Sequence, residues 1–398
     1  MNPSSVPSKS VINVEKAIKN QNDLALIVSK HLFSTKAKDS NTVFSPASIN
    51  SCLTLAASGP DGSAVSGEIL SFLRSSSTDE INAVFSKIVP IVFADRSANG
   101  GPKISSLNGV WIEKTLPIDP SFKDLFENVF KAVFGRVDFR SQAEQVRGEL
   151  NKWAENHTNG LIKDILPPGS ISSLTNSVYG NALYFKGAWE VPFDKSYTMH
   201  RKFHRVSRTA VSVPFMSSCM DQYINAYDGF KVLRIPYRQG GVANNNNRSF
   251  SYLQGIDAAT NGSFSMYFYL PDKRDGLDDL VKAMASTSGF LDSHVPSFPV
   301  LVNEFRIPKF KISYGLDGDD LGLRSMYLFH KACVEIDEEG AEAAAATCTV
   351  ADGCAMPMKP PKRIDFVADH PFVFLIREDK TGTVLFVGQI FDPSDKSS

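Results

Sequence analysis

The chain has 398 residues, 42% of them hydrophobic, which is ample for one large core or two. Its 42 basic and 43 acidic residues leave a net charge of −1, so nothing electrostatic favours nucleic acid or an anionic membrane, and no run is apolar enough to cross a bilayer. Five cysteines (Cys52, Cys219, Cys333, Cys348 and Cys354) without CxxC spacing suggest neither a disulfide framework nor a zinc knuckle. With no apolar leader in the first twenty residues, the expected setting is the reducing cytoplasm or nucleus.

After a polar tail (residues 1–12), Val14, Ile18, Ala25, Val28 and Leu32 recur at helical spacing, and helical patterns continue through 47–58, 64–73 and 78–94. Residues 104–114 read as a strand. Residues 122–130 and 142–156 read as helices, the second stopped by Asn159-Gly160. The apolar run 177–189 is too continuous for a surface strand and reads as a buried central one. From about residue 203 the pattern is mostly strand and turn, with an enlarged polar hairpin at 238–263 and a closing hairpin that pivots at Thr381-Gly382. Helices first and strands later, without βαβ alternation, indicate an α+β fold in one domain spanning 1–398.

Residues 335–347 are the most distinctive stretch. An acidic run ends at Gly340, a four-alanine tract follows, and prolines close the segment at Pro357, Pro360 and Pro361. With a two-residue period, Ala341, Ala343, Ala345, Thr347, Thr349 and Ala351 share one face, while Glu342 and Asp352 fall on the other. Such a segment can enter a sheet without burying a charge. A solvated low-complexity loop fits the composition equally well.

The segment resembles the hinge and reactive-centre loop of serpins, and four further stretches carry the likeness. Residues 42–49 (Thr-Val-Phe-Ser-Pro-Ala-Ser-Ile) and 181–193 are similar to signatures of that family. Residues 329–340 resemble the strand that feeds the loop, and 369–376 and 382–393 resemble the C-terminal strands. Residues 365–372 look most like plant members. The resemblance implies the serpin fold: three β-sheets surrounded by eight or nine helices, with an exposed loop at 338–362. It also implies inhibition by suicide cleavage: the loop is bait, and once cut it inserts into the main sheet.

In the family the residue before the cut bond lies fourteen positions after the hinge glycine. Counting from Gly340 reaches Cys354, so Cys354-Ala355 is the implied reactive bond. Small neutral side chains there suit a shallow specificity pocket. The alternative is a cut between Asp352 and Gly353 by an aspartate-specific protease. The implied hinge is Glu338, Gly340, Ala341, Glu342, Ala343, Ala344, Ala345 and Ala346. Ser45, Ser48, Asn181 and His330 match a polar shutter beneath the strands that part, and Trp189 matches the breach where insertion begins. Taken alone, His330 reads as a satisfied core histidine and Trp189 as core. The expected partner is a target protease, serine class first and cysteine class second. The protein is expected to be a monomer with no metal, no cofactor and no catalytic residues of its own.

Competing sites fail on geometry. His200 and His204 lie in a strand-like region, where four residues span roughly 13 Å, too far to share zinc. No HExxH, GxSxG, phosphate-loop or dinucleotide motif occurs. Sequons at Asn156, Asn247 and Asn261 are expected to be unused, and residues 359–363 read as a basic loop stem or a short import signal. Oxidation of Cys348 with Cys354 would oppose insertion, because six strand residues span roughly 20 Å whereas a disulfide holds its Cα atoms within about 7 Å. One departure stands out. Only residues 314–329 separate the Pro308–Ser313 stretch from His330, where the family normally has a helix and the start of a strand. That shortening is the argument for a non-inhibitory serpin with a binding, chaperone or storage role.

Overall fold

Helices dominate the first 160 residues because that is where apolar positions recur every three to four residues. The computed structural model describes residues 12–60, 62–158, 160–207, 209–239, 263–339 and 363–395. In chain order the elements begin α1 (Val14–Ser34), β1 (Thr42–Phe44), α2 (Pro46–Ala57), α3 (Gly62–Leu73), α4 (Thr78–Val92) and β2 (Lys103–Glu113). Next come α5 (Ser121–Asp124), β3 (Val133–Val137), α6 (Phe139–His157), β4 (Ser177–Lys186), β5 (Met199–His204), β6 (Ala210–Ser217), β7 (Gln222–Tyr227) and β8 (Phe230–Pro236). The rest are β9 (Phe264–Pro271), α7 (Leu277–Ser286), α8 (Phe290–Ser293), β10 (Pro299–Val300), β11 (Phe305–Pro308), β12 (Phe310–Asp317) and β13 (Tyr327–Ile336). The chain closes with β14 (Phe366–Val367), β15 (Phe372–Glu378) and β16 (Val384–Ile390).

The strands form three sheets. A seven-stranded sheet is ordered β1-β16-β15-β9-β8-β7-β10, and a four-stranded one β14-β11-β6-β5. The main sheet has five strands in the order β12-β13-β4-β2-β3. With eight α-helices among the described residues, this is the expected α+β architecture.

The main sheet positions everything that follows. β4 is its middle strand, and nine of its ten residues are buried, as the continuous apolar run requires. One face of the sheet lies on the main core, through Leu183, Phe185, Ala332, Val334 and Ile336. The other lies under α6 and the segment after it, through Trp111, Val178, Ala182 and Phe329 against Val146, Leu150, Ile165 and Leu166. Trp111 lies flat on the strands because glycines leave room for it: a Cβ at Gly180 would sit 2.8 Å from its ring. α6 is capped by Asp138 and also by Glu113, a buried carboxylate at the end of β2 that accepts from the Phe139 and Arg140 amides.

Three expectations need correction. Residues 277–293, in the half read as strand and turn, carry α7 and α8, because Leu277, Leu280, Val281 and Met284 have helical spacing. Residues 121–129 form one α-turn that runs on as a π-turn from Leu125 to Val129. The central strand ends at Lys186 rather than at Trp189, because Gly187 presses against the Tyr237 ring, where a Cβ would lie 2.7 Å away. β12 turns through residues 318–326 into β13, which has ten residues, the same number as β4. The enlarged hairpin at 238–263 lies mostly outside the described residues.

Candidate functional site

The site is the seam between β4 and β13. These strands run parallel, in register from Tyr327 opposite Val178 to Val334 opposite Phe185. Outside them β12 runs antiparallel to β13 and β2 antiparallel to β4, while the outer pair β2–β3 is parallel. A chain that leaves the end of β13 and doubles back would run antiparallel to β13, and therefore antiparallel to β4 as well. The seam is thus a place, directly beside the strand it leaves, where the segment after Ile336 can add a strand antiparallel to both edges.

Beneath the seam the four expected shutter residues meet. His330 and Asn181 are direct partners across it. The Ser45 amide donates to His330 Nε2 at 3.0 Å, so the ring proton sits on Nδ1, which donates to Asn181 Oδ1 at 2.6 Å. That oxygen also accepts from Ser48 Oγ at 2.7 Å. Ser45 reaches the seam because it is the N-cap of α2, with Pro46 at the first helical position and its Oγ accepting from the Ser48 amide. Burial pushes the His330 imidazole down to about 3. A second proton at Nε2 would also face the Ser45 N–H.

Sequence reading missed one member. Asn108 on β2 accepts from Asn181 Nδ2 at 2.6 Å, which carries the polar cluster onto a third strand. Its signal was a lone amide in the middle of a strand pattern. The cluster leaves no donor or acceptor of Asn181 unmatched, and its bonds can be remade one at a time where aliphatic packing could not.

At the top of the seam the end of β13 is clamped. Trp189 is buried, stacks on Tyr237 at 4.5 Å between centroids, and donates its indole N–H to the Asp337 carbonyl at 2.8 Å. The Phe193 amide donates to the Glu338 carbonyl at 2.9 Å. The Glu338 side chain is buried and accepts from Lys309 Nζ at 2.5 Å and from Thr198 Oγ1 at 2.7 Å. Burial alone would raise this carboxyl, but those two bonds, a backbone hydrogen bond and the Lys309 charge together hold the group below its usual range. Lys195 pairs with Glu339 beside it. Lys309, Thr198 and Tyr237 had no mark in the sequence, because they come from strands and turns remote in the chain.

The seam is roofed by the segment that follows α6. Asn151 binds both the amide and the carbonyl of Leu166, tying that segment to the helix, and Lys331 of β13 donates to the Lys163 carbonyl. Glu338 is the one expected hinge residue that is described. Gly340, Ala341, Glu342, Ala343, Ala344, Ala345, Ala346, Asp352, Gly353, Cys354 and Ala355 lie outside the described residues, as does Cys348. Cys52 and Cys333 are buried thiols and Cys219 is exposed. His200 and His204 lie on β5, as expected from their pattern. Among the described residues there is no cluster able to hold a metal ion, and no helix is long and apolar enough to cross a membrane.

The chain is also similar to known proteins. A family model described as serpin (serine protease inhibitor) matches residues 19–327 and 318–393. The two stretches overlap at 318–327. Serpin-Z1 of Arabidopsis thaliana is 61% identical over 392 residues, covering 97% of this chain and 98% of that protein. A protein named probable non-inhibitory serpin-Z5, from the same plant, is 54% identical over 397 residues, covering 98% and 87%. The solved structure of Arabidopsis AtSerpin1, described as a native stressed conformation, superposes with a TM-score of 0.84 at 43% identity, covering 97% of this chain and all of that one.

Proposed function

The chain belongs to the serpin family, whose function is serine protease inhibition, and from that premise we propose that it is a suicide inhibitor cleaved at Cys354-Ala355. The observation that carries this reading is the parallel β4–β13 seam, which is closed over a polar cluster and continuous with the small-residue segment after Gly340.

The target's nucleophilic oxygen attacks the Cys354 carbonyl carbon. The bond to the Ala355 nitrogen breaks, the protease's own acid gives that nitrogen a proton, and an ester joins Cys354 to the enzyme. The freed segment turns back at the hinge and enters between β4 and β13, carrying the protease with it. Ala341, Ala343, Ala345, Thr347, Thr349 and Ala351 take the core-facing positions. A charge there would cost several kcal/mol, enough to delay insertion until the ester hydrolyses. The intact fold is held by its unfolding barrier rather than by depth of the minimum.

The target belongs to the serine class first, with a cysteine protease as second candidate, and the inhibitor acts as a monomer in the cytoplasm or nucleus without catalysing a reaction itself. The test is incubation with a panel of proteases, scored for a complex that survives SDS and for the N-terminus of the released fragment. An SDS-stable band with a fragment beginning at Ala355 supports the reading, and one beginning at Gly353 moves the cut to Asp352. Cleavage without complex, and without a gain in melting temperature, would assign the chain to the non-inhibitory serpins.

A further inference from the structure

The turn from β12 to β13 brings opposite charges together without pairing them. The Leu323 amide donates to the Gly318 carbonyl at 2.7 Å, and the Gly318 amide donates to the Leu328 carbonyl at 2.9 Å. Only glycine allows this closure, since a Cβ at residue 318 would lie 2.7 Å from the Leu323 oxygen. The first bond sets Arg324, which follows Leu323, beside Asp317 and Asp319, the two neighbours of Gly318. Glu68 of α3 fixes the place by accepting from the Arg324 amide at 3.0 Å. Among the described residues no carboxylate pairs with the Arg324 guanidinium. Asp317 spends one oxygen on the Asp320 amide, and Asp320 is itself paired with Lys36.

Asp317, Asp319 and Arg324 line one cavity of about 360 Å³, a size that small molecules occupy in proteins. Tyr327 and Phe329 of β13 give it aromatic walls. Phe329 is the cross-strand partner of Asp317, so the two side chains share a face of the sheet. Ser170, from the segment after α6, lines it too, and its Oγ is buried without a hydrogen-bond partner. A buried hydroxyl left unmatched costs free energy that a polar ligand group would recover.

The wall chemistry selects the occupant. A plain anion would meet two carboxylates, and a plain cation would meet the guanidinium. A small molecule carrying both charges close together, with an apolar side chain for the aromatic rings, satisfies every wall. We infer that the cavity binds a free α-amino acid with an apolar side chain. Its carboxylate pairs with Arg324, its ammonium with Asp317 and Asp319, and its side chain packs against Tyr327 and Phe329. Occupancy ties the turn to the segment after α6 and so stabilises the intact fold. The inference goes beyond the inhibitory reading and does not depend on it, because binding is measured on uncut protein.

The test is thermal melting and titration calorimetry of the intact chain with L-phenylalanine and L-leucine. Phenethylamine and hydrocinnamate, which each lack one of the two charges, are the controls. An amino acid at about ten times its dissociation constant should raise the melting temperature by about 1–2 °C. Each one-charge control should bind at least about tenfold more weakly. Arg324→Gln and Ser325→Trp, the second filling the cavity, should melt within about 1 °C of wild type when empty and lose most of the ligand response. No binding of either amino acid at millimolar concentration would overturn the inference. So would a one-charge control that binds as well, or a response unchanged in Arg324→Gln or in Ser325→Trp.

Discussion

Lowering the pH should act on the seam through His330 before most carboxylates titrate. The folded imidazole is held at about 3 by burial, against about 6.5 for an unfolded chain. Between those values the unfolded state binds a proton that the folded state refuses, so stability is fully present above about pH 6.5 and is lost as pH falls toward 3. The loss is about 1.4 kcal/mol per pH unit, or about 2 kcal/mol from pH 6.5 to 5. An unfolding entropy of about 2.1 cal/mol/K per residue over 398 residues makes this a fall of roughly 2–3 °C in melting temperature. The assay is melting at pH 7, 6 and 5 for wild type and His330→Gln, with the imidazole followed by NMR. The glutamine variant should be less stable at pH 7 but should lose less on acidification, the difference between the two slopes being close to one proton. Identical slopes, or a folded imidazole that titrates near 6.5, would refute the buried hydrogen-bonded neutral state and the shutter geometry with it.

Other consequences are as direct. Ala341→Arg should convert inhibitor to substrate, with cleavage retained and the SDS-stable complex lost; a complex as stable as wild type would end the insertion argument. Glu338→Ala removes the acceptor of Lys309 and Thr198 at the clamp and should cost the intact protein about 1–3 kcal/mol, read by denaturant midpoint, while the nicked form loses less. Gly180→Val puts side-chain carbon into the Trp111 ring and should destabilise by about 1–3 kcal/mol, with a change in tryptophan fluorescence as the indole is displaced.

Much of this was legible in the chain itself because it depends on local periodicity or on contiguous residues. The central strand announced itself by continuous apolar residues and α2 by Ser45-Pro46. Likewise the shortened turn before Phe329 was visible as a missing stretch. What the turn does was not legible: β13 still pairs with β4 from Tyr327 to Val334.

Composition and order along the chain determined that helices crowd the first part of the chain, that one strand is buried on both faces, and that small uncharged residues alternate after Gly340. Tertiary structure alone decided that β13 runs parallel to β4, that Asn108 joins His330 and Asn181, and that Glu338 meets Lys309 and Thr198. The physical reason is range. Side-chain alternation and helical spacing act over a few residues, whereas a hydrogen bond between Ser45 and His330 joins positions 285 apart and exists only once the sheet has assembled.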